Sequence, residues 1–450
     1  MDSCLPLTPA SLRLPQAARV ERLADKSIYL RVREMRAASG GQTAQAGLKP
    51  TGLDVAYSDG LVSHYDLEGR LTRVATPNVQ WRRGLSQRTV LLRKRPAEQG
   101  GGLESRVLEQ EVSERVVAEM NDRLRAVFPG CPSTTDHQPR TCDATSPGRA
   151  ELDAVLARAA AFNAHESRAD FERFRSVYGA VPILPPDQYG SLVLLATDGC
   201  AYNQCSFCGF YRDQTYRRRT IPEFRSHVRA ALAYHGAALA ARRGVFLGQA
   251  NALTGPQDWR EDVLRVVNEH FCLAAGNTSA PHRSGICAFI DGFTGAHITR
   301  QEYEALRGLH LRRVYFGVET GAAELLAWLK KPATPERMRE AVTTAKHGGL
   351  HVGVIILVGA GGEPFFDAHV RNTTQLLKSL PLGLGDYIYL SPLTAAPYSE
   401  YAQRSAAAGI EPLTAARLAE QVQQLRSAVR GIPRHQRPYV AHYEVTHFVY

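Results

Sequence analysis

Ser191-Leu-Val-Leu-Leu-Ala196, followed without a break by Thr197-Asp-Gly-Cys200-Ala-Tyr-Asn-Gln-Cys205-Ser-Phe-Cys208-Gly209, decides how the rest of the chain is read. The opening run is apolar and too short for a helix, so it predicts a buried strand. Three thiols within nine residues then sit on the loop that leaves this strand. Eight cysteines in 450 residues are too sparse for a disulfide framework. The tight trio therefore points to metal ligation in a reducing compartment. Cys4, Cys131, Cys142, Cys272 and Cys287 are scattered; Cys131 and Cys142 read as linker thiols, and Cys272 and Cys287 as small core hydrophobes.

Beyond the trio, apolar strands alternate with amphipathic helices. Strands are predicted at Ser191–Ala196, Gly244–Gly248, Gly285–Ile290, Arg313–Val318, Val352–Gly359 and Asp386–Leu390. Thr220-Ile-Pro-Glu223 and Thr299-Arg-Gln-Glu302 each fit a capping box, in which threonine and glutamate satisfy orphan N–H groups at a helix start. Thr334-Pro335-Glu336 puts proline in a first turn, where its missing N–H does no harm. Six β/α units in series imply a parallel sheet with right-handed crossovers. The fold class is α/β: a partial (β/α)6 TIM-like barrel, too short to close with eight strands, with a small N-terminal α+β appendage. Ligands in such folds bind at the C-terminal ends of the strands.

Toward the N-terminus, Leu61–Leu67 and Leu71–Val74 around Gly69 read as a hairpin, Thr89–Leu92 as a further strand and Glu104–Phe128 as a helix. The expected organisation is a loosely ordered segment over 1–52, the appendage over 53–128 and a linker over 129–150. A helical lead-in over 151–189, the main domain over 190–397 and a helix-and-strand cap over 398–450 follow. The tail Pro438–Tyr450 alternates in the manner of a strand. Hydrophobic residues make up 44% and charged residues 22%, ordinary for a globular chain. No run reaches the roughly 18 apolar residues of a membrane helix, and Met1–Leu14 lacks the pattern of a secretory signal. The expectation is a cytoplasmic protein with no membrane partner. A net charge of +10, mostly arginine, leaves nucleic acid open as a partner without favouring it.

Three thiolates on one loop can hold three irons of a 4Fe–4S cubane and leave the fourth iron open. Zinc is the competing reading, but it prefers four ligands. No second CxxC occurs, and the nearest histidines, His227 and His235, fall on the following predicted helix. Here the residues resemble the cluster loop of the radical S-adenosylmethionine superfamily, in sequence and in position after the first barrel strand. Phe207, just before the last cysteine, matches the aromatic usual there. The commonest family spacing is three residues and then two, whereas this chain has four and then two, which leaves the subfamily open.

The resemblance implies a cofactor-binding role for a residue set spread over later strand ends. Cys200, Cys205 and Cys208 would ligate the cluster. Gly248-Gln249-Ala-Asn251 stands where the family often has Gly-Gly-Glu, so Gln249 or Asn251 would accept hydrogen bonds from the methionine ammonium with an amide oxygen. Gly317-Val-Glu319-Thr-Gly321 is similar to a segment that faces the ribose and methionine, and Lys331 would meet the cofactor carboxylate; Lys330 reads as a solvated helix end. Val358 and Gly359 would pack against adenine, with Tyr389 completing that wall. The basic run Arg212, Arg217, Arg218 and Arg219 reads as solvated surface, although it would also suit a phosphate, a carboxylate or an RNA backbone of the substrate.

The implied chemistry is reductive cleavage of S-adenosylmethionine to a 5′-deoxyadenosyl radical that takes hydrogen from a substrate, with flavodoxin or ferredoxin as electron donor. A small metabolite is the favoured substrate. Competing readings are a tRNA-modifying radical enzyme and a non-catalytic iron–sulfur protein akin to a haem chaperone.

Overall fold

The computed structural model describes residues 21–22, 28–30, 44–49, 51–57, 59–95, 103–128, 147–271, 285–293, 298–396 and 398–450. Cys4, Cys131, Cys142 and Cys272 lie outside these residues, as does most of the expected 129–150 linker. Among the described residues, no helix is long and apolar enough to cross a membrane. The chain divides into two compact units, one of residues 6–181, 229–242 and 446–450, the other chiefly of 182–228 and 243–445.

The first unit is a nine-stranded antiparallel meander: β1 (Glu21–Arg22), β2 (Ile28–Leu30), β3 (Ala44–Lys49), β4 (Gly52–Tyr57), β5 (Val62–Tyr65), β6 (Leu71–Ala75), β7 (Val79–Arg83), β8 (Thr89–Lys94) and β9 (Leu103–Val107). Strict alternation puts Leu53, Val55, Tyr65, Val74 and Trp81 on one face. They pack there against Val117, Met120 and Leu124 of α1 (Gln110–Val127) and Leu152, Val155 and Leu156 of α2 (Pro147–Ala161). A third helix, α3 (Ala164–Tyr178), is capped by the Asn163 side chain.

One expectation is corrected here. Within the segment 1–52, β1–β3 extend the sheet; the Ala, Gly and Gln residues of β3 carry little strand propensity, and pairing along β4 decides its conformation. Residues 103–107 belong to a strand and not to the helix expected from Glu104, because β9 continues the ladder from β8. The helix begins only at Gln110.

The second unit is an open parallel sheet of seven strands in chain order: β10 (Leu192–Leu195), β13 (Val245–Gly248), β14 (Ile286–Ile290), β15 (Leu311–Glu319), β16 (His351–Val358), β17 (Tyr387–Pro392) and β18 (Tyr439–His442). Six strands were expected in this sheet; the seventh, β18, comes from the tail and pairs parallel to β17. The short pair β11 (Thr197–Asp198) and β12 (Arg217–Arg218) lies between β10 and α4 (Ile221–His235). The remaining helices are α5 (Gln257–His270), α6 (Arg300–Gly308), α7 (Ala323–Trp328), α8 (Pro335–His347), α9 (Gly362–Ser379), α10 (Glu400–Ala407) and α11 (Ala415–Ser427). Thr299 and Glu302 form a full capping box on α6, and Thr334 caps α8 with proline in its first turn.

A buried polar knot fills the bottom of this sheet. Asp187, on the turn leading into β10, accepts hydrogen bonds from Arg313 Nη1 (2.8 Å), the Tyr315 hydroxyl (2.6 Å) and the Tyr389 hydroxyl (2.6 Å). Gly353 makes room for it, since a Cβ there would meet the Tyr315 ring at 2.3 Å. Replacing Asp187 by alanine removes the carboxylate from beside a buried guanidinium and the acceptor from two hydroxyls, and is expected to cost about 3 kcal/mol in chemical denaturation. Asp187→Asn, which keeps one acceptor, is expected to lose less. Cys287 lies fully in the core, where burial pushes its thiol up to about 12.

Candidate functional site

The cysteine loop is an excursion with a closed neck. Thr197 and Asp198 pair with Arg218 and Arg217, so the loop leaves and rejoins the sheet at one point. Asp198 accepts from Arg219 (2.8 Å) and pairs with Arg217 (3.0 Å), and Arg218 stacks over Trp259. These three arginines of the basic run are thus engaged within the protein.

Arg212 is more than the solvated side chain expected. Its guanidinium donates to the carbonyls of Cys208 (3.0 Å), Asn203 (2.8 Å) and Cys205 (2.6 Å), binding three points of the loop together. Between the first two cysteines, Asn203 adopts a left-handed conformation (φ 49°) that asparagine tolerates better than most residues. Its N–H points at Cys200 Sγ (3.4 Å), and its amide nitrogen donates to the Tyr211 carbonyl (2.6 Å). The four-residue spacing is therefore absorbed by one tight turn. Arg212→Ala is expected to lower iron retention after reconstitution by about tenfold or more, with little change in melting temperature, as measured by iron assay against a melt.

The three thiols are free, and the sulfurs lie near enough to influence one another. Burial pushes Cys205 up to about 12, an effect eased by Lys331 and reinforced by Glu319 and the other two thiols. Burial likewise raises Cys208. Among the described residues, no three Cys, His, Asp or Glu side chains converge on a single ion. The histidines weighed for zinc are used elsewhere: His227 Nε2 accepts from the Leu195 N–H (2.9 Å), and His235 meets the Tyr178 hydroxyl (3.1 Å).

Glu319 and Lys331 face this loop. β15 bulges between Gly317 and Glu319, and Glu319 takes a left-handed backbone (φ 63°), a strained choice that recurs at functional sites. Its carboxylate accepts from Lys331 Nζ at 2.8 Å, both side chains buried. Burial pulls the Lys331 ammonium down, but Glu319 and Cys205 outweigh it and the group ends above its ordinary value. Gly317 leaves space for the pair, since a Cβ there would lie 2.5 Å from Glu319 Oε1. Lys331 also sits over the Phe293 ring, which meets Tyr202 of the cysteine loop edge-on. Lys330 pairs with Glu400 on the surface.

The turn after Glu319 rests on α9. His369 Nδ1 lies 2.7 Å from Thr320 Oγ1, and Thr373 Oγ1 accepts from the Gly321 N–H (2.8 Å). Burial drives His369 down to about 4. The unfolded chain thus binds a proton between about pH 6.5 and 4 that the folded chain refuses, so this contribution to stability is full above about 6.5 and is lost as pH falls. His369→Gln is expected to flatten the decline of melting temperature over that window relative to wild type.

The remaining candidates divide. Gln249 Oε1 accepts from the Gly199 N–H, and the Gln249 backbone N–H binds Thr197 Oγ1 (3.1 Å), so this residue braces the cysteine loop. Gly248 ends β13. Asn251 donates to Asp291 Oδ2 (2.5 Å), a carboxylate at the end of β14. Asp291 was missed in the sequence, although the strand-end rule applied to the third strand points to it. Val358 is buried at the end of β16, and the Gly359 N–H is already bound by Gln421 Oε1 (2.7 Å). Phe207 packs with Leu329, Leu357 and Tyr401. Tyr401 links loop and turn, its N–H donating to the Ser206 carbonyl (3.0 Å) and its hydroxyl accepting from the Gly361 N–H (2.8 Å).

Tyr389 is a correction. It pairs in register with Ile355, whereas Val358 pairs with Pro392, so Tyr389 lies three residues, about 10 Å, below the strand ends. Its hydroxyl belongs to the Asp187 knot and not to an adenine wall.

Residues 194–376 match the family model described as the radical SAM superfamily. An 89-residue stretch is 30% identical to an uncharacterized methyltransferase of Pyrococcus horikoshii, covering 20% of this chain and 19% of that protein. Among solved structures, the radical S-adenosylmethionine methyltransferase TsrM of Kitasatospora setae is 15% identical with a TM-score of 0.41, over 58% of this chain and 55% of that one. Coproporphyrinogen III oxidase of Escherichia coli is 15% identical with a TM-score of 0.38, over 59% and 58%. The chain thus spans little more than half of either structure. Through residues 194–376, which hold the three cysteines, Asn251, Glu319, Lys331 and Gly359, the chain carries a domain of the radical SAM superfamily, whose enzymes work with S-adenosylmethionine and a 4Fe–4S cluster.

Proposed function

We propose that Cys200, Cys205 and Cys208 hold a 4Fe–4S cluster and that the strand ends above them hold S-adenosylmethionine for radical chemistry on a small metabolite. The observation that carries this reading is the meeting of three free thiols with the buried Glu319–Lys331 pair at one end of a parallel sheet. The donor set fits: three thiols on a loop pinned by Arg212, with an ammonium nearby to offset the charge of thiolates. When bound, such a cluster supplies the electron that cleaves the sulfonium and yields a 5′-deoxyadenosyl radical able to take hydrogen from a substrate.

The chain's own groups orient the cofactor and neutralise its charges. Lys331 offers an ammonium to a carboxylate, and Glu319 offers acceptors to ribose hydroxyls or to the methionine ammonium. Asn251 lacks the charge that a glutamate would bring at its position, and Asp291, hydrogen-bonded to it, makes up that charge from the next strand. Val358 and the Gly359–Gly361 turn line an apolar wall, and α10 and α11 hold the turn in place through Tyr401 and Gln421. Flavodoxin or ferredoxin would supply the electron, and a cytoplasmic setting would keep the thiols reduced.

Anaerobic reconstitution with iron and sulfide, followed by dithionite and S-adenosylmethionine, tests the reading by release of 5′-deoxyadenosine. Cofactor binding without release would point to the haem-chaperone alternative. Salt-sensitive retention of tRNA would favour the tRNA-modifying one.

A further inference from the structure

The outward face of the N-terminal sheet carries a row of polar side chains that the proposed chemistry does not use. In register across four strands, Asp54 of β4 opposes His64 of β5, His64 opposes Arg73 of β6, and Arg73 opposes Arg82 of β7. The residues beside them, Leu53, Val55, Tyr65, Val74 and Trp81, point into the core, so the row lies on the other face. Together with Thr51 and Thr72 it lines a shallow cleft of ≈ 410 Å³.

Three features suit this face to an anion. Like charges placed directly opposite on neighbouring strands repel, yet Arg73 and Arg82 are so placed. No hydrogen bond or ion pair among the described residues engages the Arg73 guanidinium, and Asp54, the acid of the row, is bound to His64 Nδ1 at 2.5 Å. The register slips between His64 and Tyr65, and Thr72 at this irregularity donates its hydroxyl to the His64 carbonyl (3.2 Å). Bulges of this kind re-aim side chains at binding sites.

We infer that this cleft binds a phosphate dianion, presented as a phosphomonoester of a small molecule. Guanidinium groups one strand apart, roughly 5 Å between Cβ atoms, can straddle a tetrahedral dianion and bond its oxygens in pairs. The Arg73 fork takes one edge of the phosphate, the Arg82 guanidinium, whose Nε donates to Gln80 Oε1 (2.5 Å), offers its outer N–H groups to a second, the Thr72 hydroxyl lies beside them, and the His64–Asp54 pair bounds the cleft on the third side. The volume is that of a small-metabolite pocket and not of an extended polymer groove.

Equilibrium dialysis of the full chain at fixed ionic strength against inorganic phosphate, and separately against glucose 6-phosphate, tests the inference. Saturable retention of about one equivalent of either is expected, with excess acetate failing to displace it. Tighter retention of glucose 6-phosphate identifies a monoester ligand; equal retention identifies free phosphate as sufficient. Arg73→Ala and Arg82→Ala are each expected to weaken retention about tenfold or more, and Arg73→Lys by less, because it keeps the charge but loses the fork. Circular dichroism is expected to be unchanged in all three, and cofactor cleavage is expected to be retained. No retention at millimolar phosphate or glucose 6-phosphate, wild-type retention by both alanine variants, or binding of single-stranded RNA alone would overturn it.

Discussion

Cys205→Ala, reconstituted with iron and sulfide under the same anaerobic conditions as the wild type, is expected to release at least about 100-fold less 5′-deoxyadenosine. Cys205 is the middle ligand of the proposed set, and its carbonyl receives both the Arg212 guanidinium and the Cys208 N–H (3.1 Å). Loss of its sulfur leaves two protein ligands for a cluster that needs three, a larger defect than the roughly 10–100-fold loss usual for outer-sphere changes. Iron per chain, measured beside the product, is expected to fall in parallel. A variant that keeps a full cluster and cleaves the cofactor as wild type does would sink the ligand assignment. The cysteine is partly exposed, so folding is expected to survive.

Lys331→Met is expected to lose about 3–5 kcal/mol in chemical denaturation, the usual consequence of leaving one charge of a buried pair alone. Glu319 would remain in a site with both side chains under a tenth exposed, with the ammonium gone and Cys205 close by. The double variant Glu319→Gln with Lys331→Met removes both charges and is expected to be more stable than Lys331→Met alone; measured beside Glu319→Gln, a double loss smaller than the sum of the two single losses identifies direct coupling. A double loss equal to that sum would show that the pair does not act as one. Cofactor cleavage is expected to be lost in both, which separates the pair's service to folding from its service to the ligand.

Local physics made much of the parallel unit legible. Ser191–Ala196 and Val352–Gly359 are continuous apolar runs that only a sheet covered on both faces would bury, and Thr299–Glu302 announces its helix through a four-residue motif. What escaped depended on register or on distant partners. Tyr389 has the right residue type on the right strand, but its depth relative to Val358 is fixed by pairing that no single strand reveals. Arg212 looked like one of four surface arginines, and only the folded loop shows its contact with three carbonyls. Ala44–Lys49 lacks strand propensity and is held by β4. Asp291 closes a strand end that carried no recognisable motif, and its partner Asn251 drew attention first.

The ladder between Thr197–Asp198 and Arg217–Arg218 also bears on how such a site tolerates change over time. Because both ends of the cysteine excursion are fastened together, a residue gained or lost inside it never reaches the barrel. The cost is confined to loop closure, where even a doubling of length adds only about 0.6 kcal/mol. The interval between Cys200 and Cys205 can therefore take an insertion while the sulfurs, repositioned by a single turn at Asn203, stay where the proposed cluster would need them. Spacing is thus a property of the loop alone and a poor guide to whether such a site can work.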